Sequence, residues 1–377
     1  MGGSANYLFA LTPLYFIFSG KKLLSPSFLI KFFLASCFLI FLISLVYQFE
    51  FYEHTPRKII SFILFLSMFS FALCDFSDKM VNSFLLALIF CSIYLSVSSF
   101  YRLLEFGSVD IFTLKSVVGT QRIGFIYLYA FWLVFSFVLN VSHSAFIRIG
   151  SFAVLLIVLG GLVLTFSRAS YIGLIAGSFY AFITYIRADL RLKAILRYFA
   201  IILIIAVLIF LVSSFLPDFY YFLDKRLFSL FALDNLVQQI NDPSSSEGAR
   251  AEIWRKILFF VSSNPFTGTG FLGVWVFYSD LSGSSHNEFF DRLLRLGFFG
   301  FTIYLFLLFK TFKHLVYSFP PLAIGSASVI AYSFFHETFS LSQGAAVLSF
   351  LIMLRERDVR NANLSLRILP SDSIRVL

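Results

Sequence analysis

Apolar residues run along this chain in blocks of about 20, with short charged breaks between them. Blocks of that length fit helices crossing a hydrocarbon core ~30 Å thick, whereas strands of a membrane barrel would alternate apolar and polar positions. The pattern predicts spans near residues 6–19, 27–49, 58–75, 80–101, 123–142, 146–166, 169–186, 194–216, 288–309, 319–338 and 340–354. The fold class is therefore all-α, a polytopic helical membrane bundle. It forms one transmembrane domain over 1–377, with no internal repeat and no soluble second domain. The first run follows no basic region and carries no small-residue cleavage pattern, so it reads as a span rather than a removable signal.

One interruption differs from the rest. Residues 217–287 are far longer than a helix connection needs, and long loops of this kind are usually functional or disordered. Their content argues for order. AEIWRKILFF at 251–260 follows a helical pattern through Ile253, Trp254, Ile257, Leu258 and Phe260, and Asn264-Pro265 marks its stop. DPSSSEG, Asp242 to Gly248, reads as a flexible lead-in to that helix.

Composition sharpens the picture. A chain with 59% hydrophobic and 13% charged residues is too apolar for a soluble domain of 377 residues. The formal charge of +9 is scattered over helix ends instead of forming one basic face, which sets nucleic acid aside as a partner and leaves membrane lipid. Basic residues of short loops mark the cytoplasmic side. They are Lys21, Lys22 and Lys31; Arg187, Arg191, Lys193 and Arg197; Lys310 and Lys313; and the arginines of a cytoplasmic tail over 355–377. The opposite face then receives 50–57, 102–122, the junction at 167–168 and the long loop 217–287. Cys37, Cys74 and Cys91 all fall inside predicted spans, where a thiol is small apolar filler and no disulfide framework is indicated.

Candidate chemistry concentrates on that outer face. Arg168, in TFSRASYIGLIAG, opens a helix there, and a guanidinium beside a helix N-terminus suits phosphate oxygens; the competing reading is a snorkelling anchor. Arg250 and Arg255 flank Trp254 on the loop helix, either as a solvated face paired with Glu247 and Glu252 or, for Arg250, as a second phosphate clamp. His286 precedes Asn287 where the loop re-enters the apolar region. An imidazole there could take a proton from a sugar hydroxyl, although a lone loop histidine is often incidental. Behind it, Glu288–Arg292 and Asp291–Arg295 stand at i,i+4 spacing and read as structural pairs holding a polar stripe inside the bundle.

Gly268, Gly270 and Gly273 match GxGxxG, but no strand precedes them and the bare motif is weak, so a tight turn after Asn264-Pro265 is the better reading. HExxH, paired cysteines and GxSxG are missing from the sequence, so it offers no metal-site or acyl-transfer motif.

Three features in this order resemble the bacterial O-antigen ligase and O-antigen polymerase superfamily. They are Ser167-Arg168 opening a span, Arg250-x-x-x-Trp254 followed by NP-x-x-G-x-G over Asn264 to Gly270, and HN-x9-G-x-x-G from His286 to Gly300. The resemblance covers roughly residues 150–310. It implies an inverting, metal-independent glycosyltransferase without a cofactor, working at the outer face of the bacterial inner membrane. The donor would be a glycan on undecaprenyl diphosphate, and the acceptor a second glycan or lipid A-core. By position, Arg168 and Arg250 would bind the diphosphate and His286 would be the general base. Arg255, Asn287 and Glu288 would support them, with Glu288 the next candidate base. Arg122 is carried over only as a further supporting residue, because the family's Pro-Asn element is absent from GTQRIGFIYLYAFW. The family commonly has an even span number with both ends cytoplasmic, so the bundle is expected to have about 11–12 spans with one long, partly helical periplasmic loop. The competing class is a polysaccharide flippase or other transporter, which would show repeated halves and mid-membrane charges. A peptidoglycan-type polymerase is disfavoured because the matched residues are His and Arg and not a loop carboxylate.

The charge bias puts Arg168, Arg250 and His286 on one outer face. Single cysteines replacing Ser167, Ser246 and Ser284, in a background without the native cysteines, are expected to react with a membrane-impermeant thiol reagent in intact spheroplasts. Protection at 246 and 284 would reverse the orientation.

Overall fold

The computed structural model describes residues 28–46, 59, 77–106, 123–139, 144–165, 167–187, 241–242, 246–266, 268–277, 285–339 and 342–368. Nearly all of them are helical. In chain order the helices are α1 (Phe28–Val46), α2 (Asp78–Phe106), α3 (Gly124–Leu139), α4 (Ala145–Val163), α5 (Arg168–Arg187), α6 (Ser246–Ser263), α7 (Glu288–Ser318), α8 (Pro320–Ser333) and α9 (Ser342–Ile368), with a 3-10 turn at Gly273–Val276. Three described helices are long and apolar enough to cross a membrane: Asp78–Arg102, Ala145–Val163 and Glu288–Ser318. Leu29–Ile43 and Gly124–Leu139 are shorter apolar helices. The chain is a membrane protein. The predicted spans near 6–19, 58–75 and 194–216, most of the loop ahead of α6, and Arg122 lie outside the described residues.

α3 is the axis of the bundle: every residue from Gly124 to Phe135 is buried, and α2, α4, α5 and α8 pack around it. Close approach depends on small residues, as it does between helices in lipid. Gly173 and Gly177 of α5 leave room for Leu128, Trp132 and the Ser328 segment, and a methyl group at Gly177 would collide with Ser328 Oγ and Trp132 Nε1. In the space so kept, Trp132 Nε1 donates to Ser328 Oγ at 2.7 Å, and Tyr129 OH lies 3.2 Å from Ser326 Oγ. Outward-facing side chains such as Phe90, Tyr94, Phe146, Phe179 and Phe309 are exposed and apolar, a surface suited to lipid.

α7 is broken. Gly297, at φ 65° and ψ 179°, interrupts the helix. At 1.5 Å per residue the part after the break, 298–318, is about 30 Å long and alone matches a hydrocarbon core. The part before it carries Glu288, Asp291, Arg292 and Arg295. A break frees backbone groups that must find partners, and the segment after α6 supplies them. Leu294 O accepts from Thr269 N at 2.7 Å, Arg295 O accepts from Gly270 N at 3.0 Å, and Phe298 N donates to Pro265 O at 2.7 Å. Gly268 lies so close to this junction that a Cβ there would collide with Arg295 O and Gly297 N. The glycines of the GxGxxG match thus form the tight turn expected of them, and that turn caps the broken helix.

α6 lies against the first part of α7 through Ile257, Val261, Val274 and Leu294, with Trp254 stacked on Phe290 at 5.2 Å. It begins at Ser246, so the helix takes in the Ser-Glu-Gly end of the stretch read above as a flexible lead-in. The other departures are at span ends. α8 stops at Ser333, short of the predicted 338. α9 continues to Ile368, beyond the apolar run, and the beginning of the predicted tail is docked: Arg357 pairs with Asp78 at 2.7 Å and His314 with Asp358 at 3.0 Å. These contacts gather basic residues at one end of the bundle. The α4–α5, loop–α7 and α8–α9 junctions gather at the other.

Gly297 occupies a backbone region essentially closed to other residues, and a Cβ there would meet the Phe266 carbonyl carbon and oxygen at 2.8 Å. Gly297→Ala is expected to cost about 1–3 kcal/mol from backbone strain alone, read as a lower thermal midpoint of the detergent-purified protein. An unchanged midpoint would mean the break is not required.

Candidate active site

α8 has 14 residues, about 21 Å of helix, too short to cross a 30 Å core, and the chain then turns. Thr338 and Phe339 in this turn are buried. Irregular backbone at such a place must be satisfied internally. Phe339 N donates to Glu288 Oε2 at 2.9 Å, Phe335 N to Tyr332 O at 3.0 Å, and Phe334 O accepts from Asn287 Nδ2 at 2.9 Å. The Ser333 hydroxyl lies 2.9 Å from Thr338 Oγ1.

The turn holds the start of α7 from several sides. Asn287 is its N-cap: Oδ1 accepts from the amides of Phe289 at 2.9 Å and Phe290 at 3.0 Å, satisfying two orphan donors. Ser285 is fully buried. Its hydroxyl donates to Asn287 O at 2.7 Å, its backbone amide and hydroxyl both face Glu337 Oε1, and its carbonyl accepts from Trp254 Nε1 at 2.9 Å. Between these two anchored residues His286 is half-buried with φ 52°, the one non-glycine residue at positive φ among those described. A side chain held in that region is worth a look, because its neighbours have to over-determine it.

Glu288 is fully buried. Oε1 accepts from Arg292 Nε at 2.6 Å and from Tyr304 OH at 3.2 Å, while Oε2 takes the Phe339 amide. Asp291 holds Arg295 Nε at 2.9 Å, and Arg295 Nη1 reaches Phe271 O at 2.7 Å. Both i,i+4 pairs expected from the sequence are formed, and their partners make Glu288 a structural anchor.

Arg168 opens α5, as its sequence context predicted. The hairpin before it is tight: Thr165 Oγ1 donates to Leu162 O at 2.7 Å and Tyr171 OH donates to Val163 O at 2.7 Å. Ser167 Oγ lies 3.2 Å from His336 Nε2, and the His336 ring stacks on Tyr332 at 4.8 Å. His336 and Glu337, adjacent in the α8–α9 turn, therefore contact the Arg168 junction and the His286 junction respectively. Neither residue was singled out in the sequence. The available signal was an ionisable His-Glu pair inside an otherwise apolar run.

Arg250 is half-buried one turn ahead of Trp254, on the same side of α6 by its spacing, and Trp254 places that side beside Ser285. Arg255 is exposed and with Lys256, Phe259 and Phe277 lines an open groove of about 500 Å³ on another side of α6. Among the described residues, no three His, Cys, Asp or Glu side chains are grouped to hold a metal ion.

Residues 152–305, from α4 through the apolar part of α7, match the family model described as O-antigen ligase. Over this stretch the chain forms a domain similar to O-antigen ligases. None of the curated proteins compared matches it. The domain brings with it glycan transfer of the O-antigen ligase or polymerase type in general terms. Its boundaries take in Arg168, Arg250 and His286, whereas His336 and Glu337 lie beyond the matched stretch and reach back into it through Ser167 and Ser285.

Proposed function

We propose that the chain transfers a glycan from undecaprenyl diphosphate to an acceptor hydroxyl, with inversion at the anomeric carbon and no metal ion, at the outer face of the inner membrane. The acceptor is a second lipid-linked glycan or lipid A-core. One observation carries the reading: the α8–α9 turn contacts the junction that bears Arg168 through His336 and the junction that bears His286 through Glu337. A cation at a helix N-terminus and an imidazole are thus assembled at one end of the bundle.

In the proposed reaction, the acceptor oxygen bonds to the anomeric carbon from the face opposite the diphosphate. The bond from that carbon to the phosphate oxygen breaks, and the lipid diphosphate leaves with the electron pair. Its developing charge meets Arg168 at the start of α5 and Arg250 near the start of α6, donors suited to planar bidentate contact with phosphate. The acceptor proton goes to His286, which must be neutral to take it. Diphosphate is already a good leaving group, so stabilising its charge matters more than protonating it. Incubation of purified protein with lipid-linked glycan and either acceptor, followed by determination of the anomeric configuration of the product, tests the whole reading; retention would overturn it.

Arg168→Ala or Arg250→Ala is expected to cost about 2–4 kcal/mol of transition-state stabilisation, with lysine restoring part of it because it cannot donate bidentately. Near-normal kcat/KM in either alanine variant would return that arginine to a membrane anchor.

His286→Ala is expected to lower kcat by roughly 10² to 10⁴-fold while donor affinity stays near normal. Turnover of the unaltered protein should fall as acid protonates the imidazole. Weakened donor binding at an unchanged maximal rate would instead make His286 a phosphate ligand.

A further inference from the structure

The mechanism above leaves Glu337 without a role, yet it occupies the point where the two halves of the site meet. Its Oε1 faces both the backbone amide and the hydroxyl of Ser285, the residue immediately before His286. On the other side of His286, Asn287 is fixed by its capping bonds and by Phe334 O. His286 itself stands at φ 52°, a region that L residues leave readily when their neighbours are released. We infer that Glu337 is a positioning residue: its acceptor oxygen holds the left-handed turn that presents His286, and through the adjacent His336 the same turn sets His286 against Ser167 and Arg168. The inference rests on His286 being the general base.

The chemistry of the contact distinguishes reach from charge. Ser285 is buried, and with its hydroxyl proton given to Asn287 O its amide donates to Glu337 Oε1, so that amide needs an acceptor at this distance. Glutamine keeps a carbonyl oxygen on a side chain of the same length, whereas aspartate keeps the charge and withdraws the acceptor by one methylene. A misplacement of about 1 Å at a catalytic group is enough to cost on the order of 100-fold. Donor binding, which belongs to the arginines, has no reason to follow.

The test uses the purified full-length chain in proteoliposomes, with undecaprenyl diphosphate-linked oligosaccharide as donor and whichever acceptor supports turnover by the unaltered protein. Glu337→Ala and Glu337→Asp are expected to lower kcat by about 10 to 100-fold with donor KM within about twofold, and Glu337→Gln to recover most of that loss. Glu337→Ala combined with His286→Ala should be no slower than His286→Ala alone, since the two act through one imidazole. Should the alanine variant fail to insert, the contrast between glutamine and aspartate decides. An active aspartate variant beside an inactive glutamine one would overturn the inference. So would wild-type kcat in both the alanine and aspartate variants, or a double variant slower than His286→Ala by the full Glu337→Ala factor. In each of those cases an inactive His286→Ala leaves the general-base reading intact, whereas wild-type turnover in His286→Ala removes that reading and this inference together.

Discussion

A carboxylate with no exposed surface, Glu288, ties the beginning of α7 to the α8–α9 turn. An ion in such surroundings is tolerable only when every acceptor site is used. Here the guanidinium of Arg292, the hydroxyl of Tyr304 and the amide of Phe339 share its two oxygens. The consequence reaches well beyond one ion pair. Because Phe339 is held, the short turn after α8 cannot withdraw, and His336 and Glu337 are delivered to the two junctions they contact. Replacing Glu288 would take a shared acceptor from all three donors, and replacing Arg292 would leave the carboxylate charge buried without its cation.

The same economy of backbone groups explains the broken helix. Ending a helical segment at Leu296 strands carbonyls that lipid cannot satisfy, and the Pro265–Gly270 segment provides the missing donors and acceptor. Two of the three stretches that carry the family resemblance are physically one unit there. Trp254 of the loop-helix stretch touches Ser285 beside the stretch that opens at His286, and the glycine turn following Asn264-Pro265 rests on the break at Gly297.

The proposed reaction requires an anion site and a base presented to substrates that arrive from a bilayer. Helices packed through glycine and serine around α3 make a rigid frame for this, since Gly173, Gly177, Ser326 and Ser328 let three backbones approach closely. Arg168 and His286, to which the proposed reaction gives roles, stand at junctions between helices. Anchoring those junctions to the α8–α9 turn is what keeps them in fixed relation.

Period and composition were enough to read the class, the positions of α1 to α5 within a few residues, the helical nature of 251–260 and the two i,i+4 ion pairs, because each depends on residues near one another along a single helix. The helix opening at Arg168 and the turn at Gly268–Gly273 were legible for the same local reason. What sequence could not supply was partnership across the chain. Hydropathy carried the predicted span through to residue 338, and only packing shows that α8 ends at Ser333 and that His336 and Glu337 turn inward to meet Ser167 and Ser285, residues 169 and 52 positions away. It likewise ended α9 at the last apolar residue, although Asp78 and His314 hold the helix onward. Such contacts are decided by which distant groups share a buried volume, a property of the assembled bundle that no local pattern encodes.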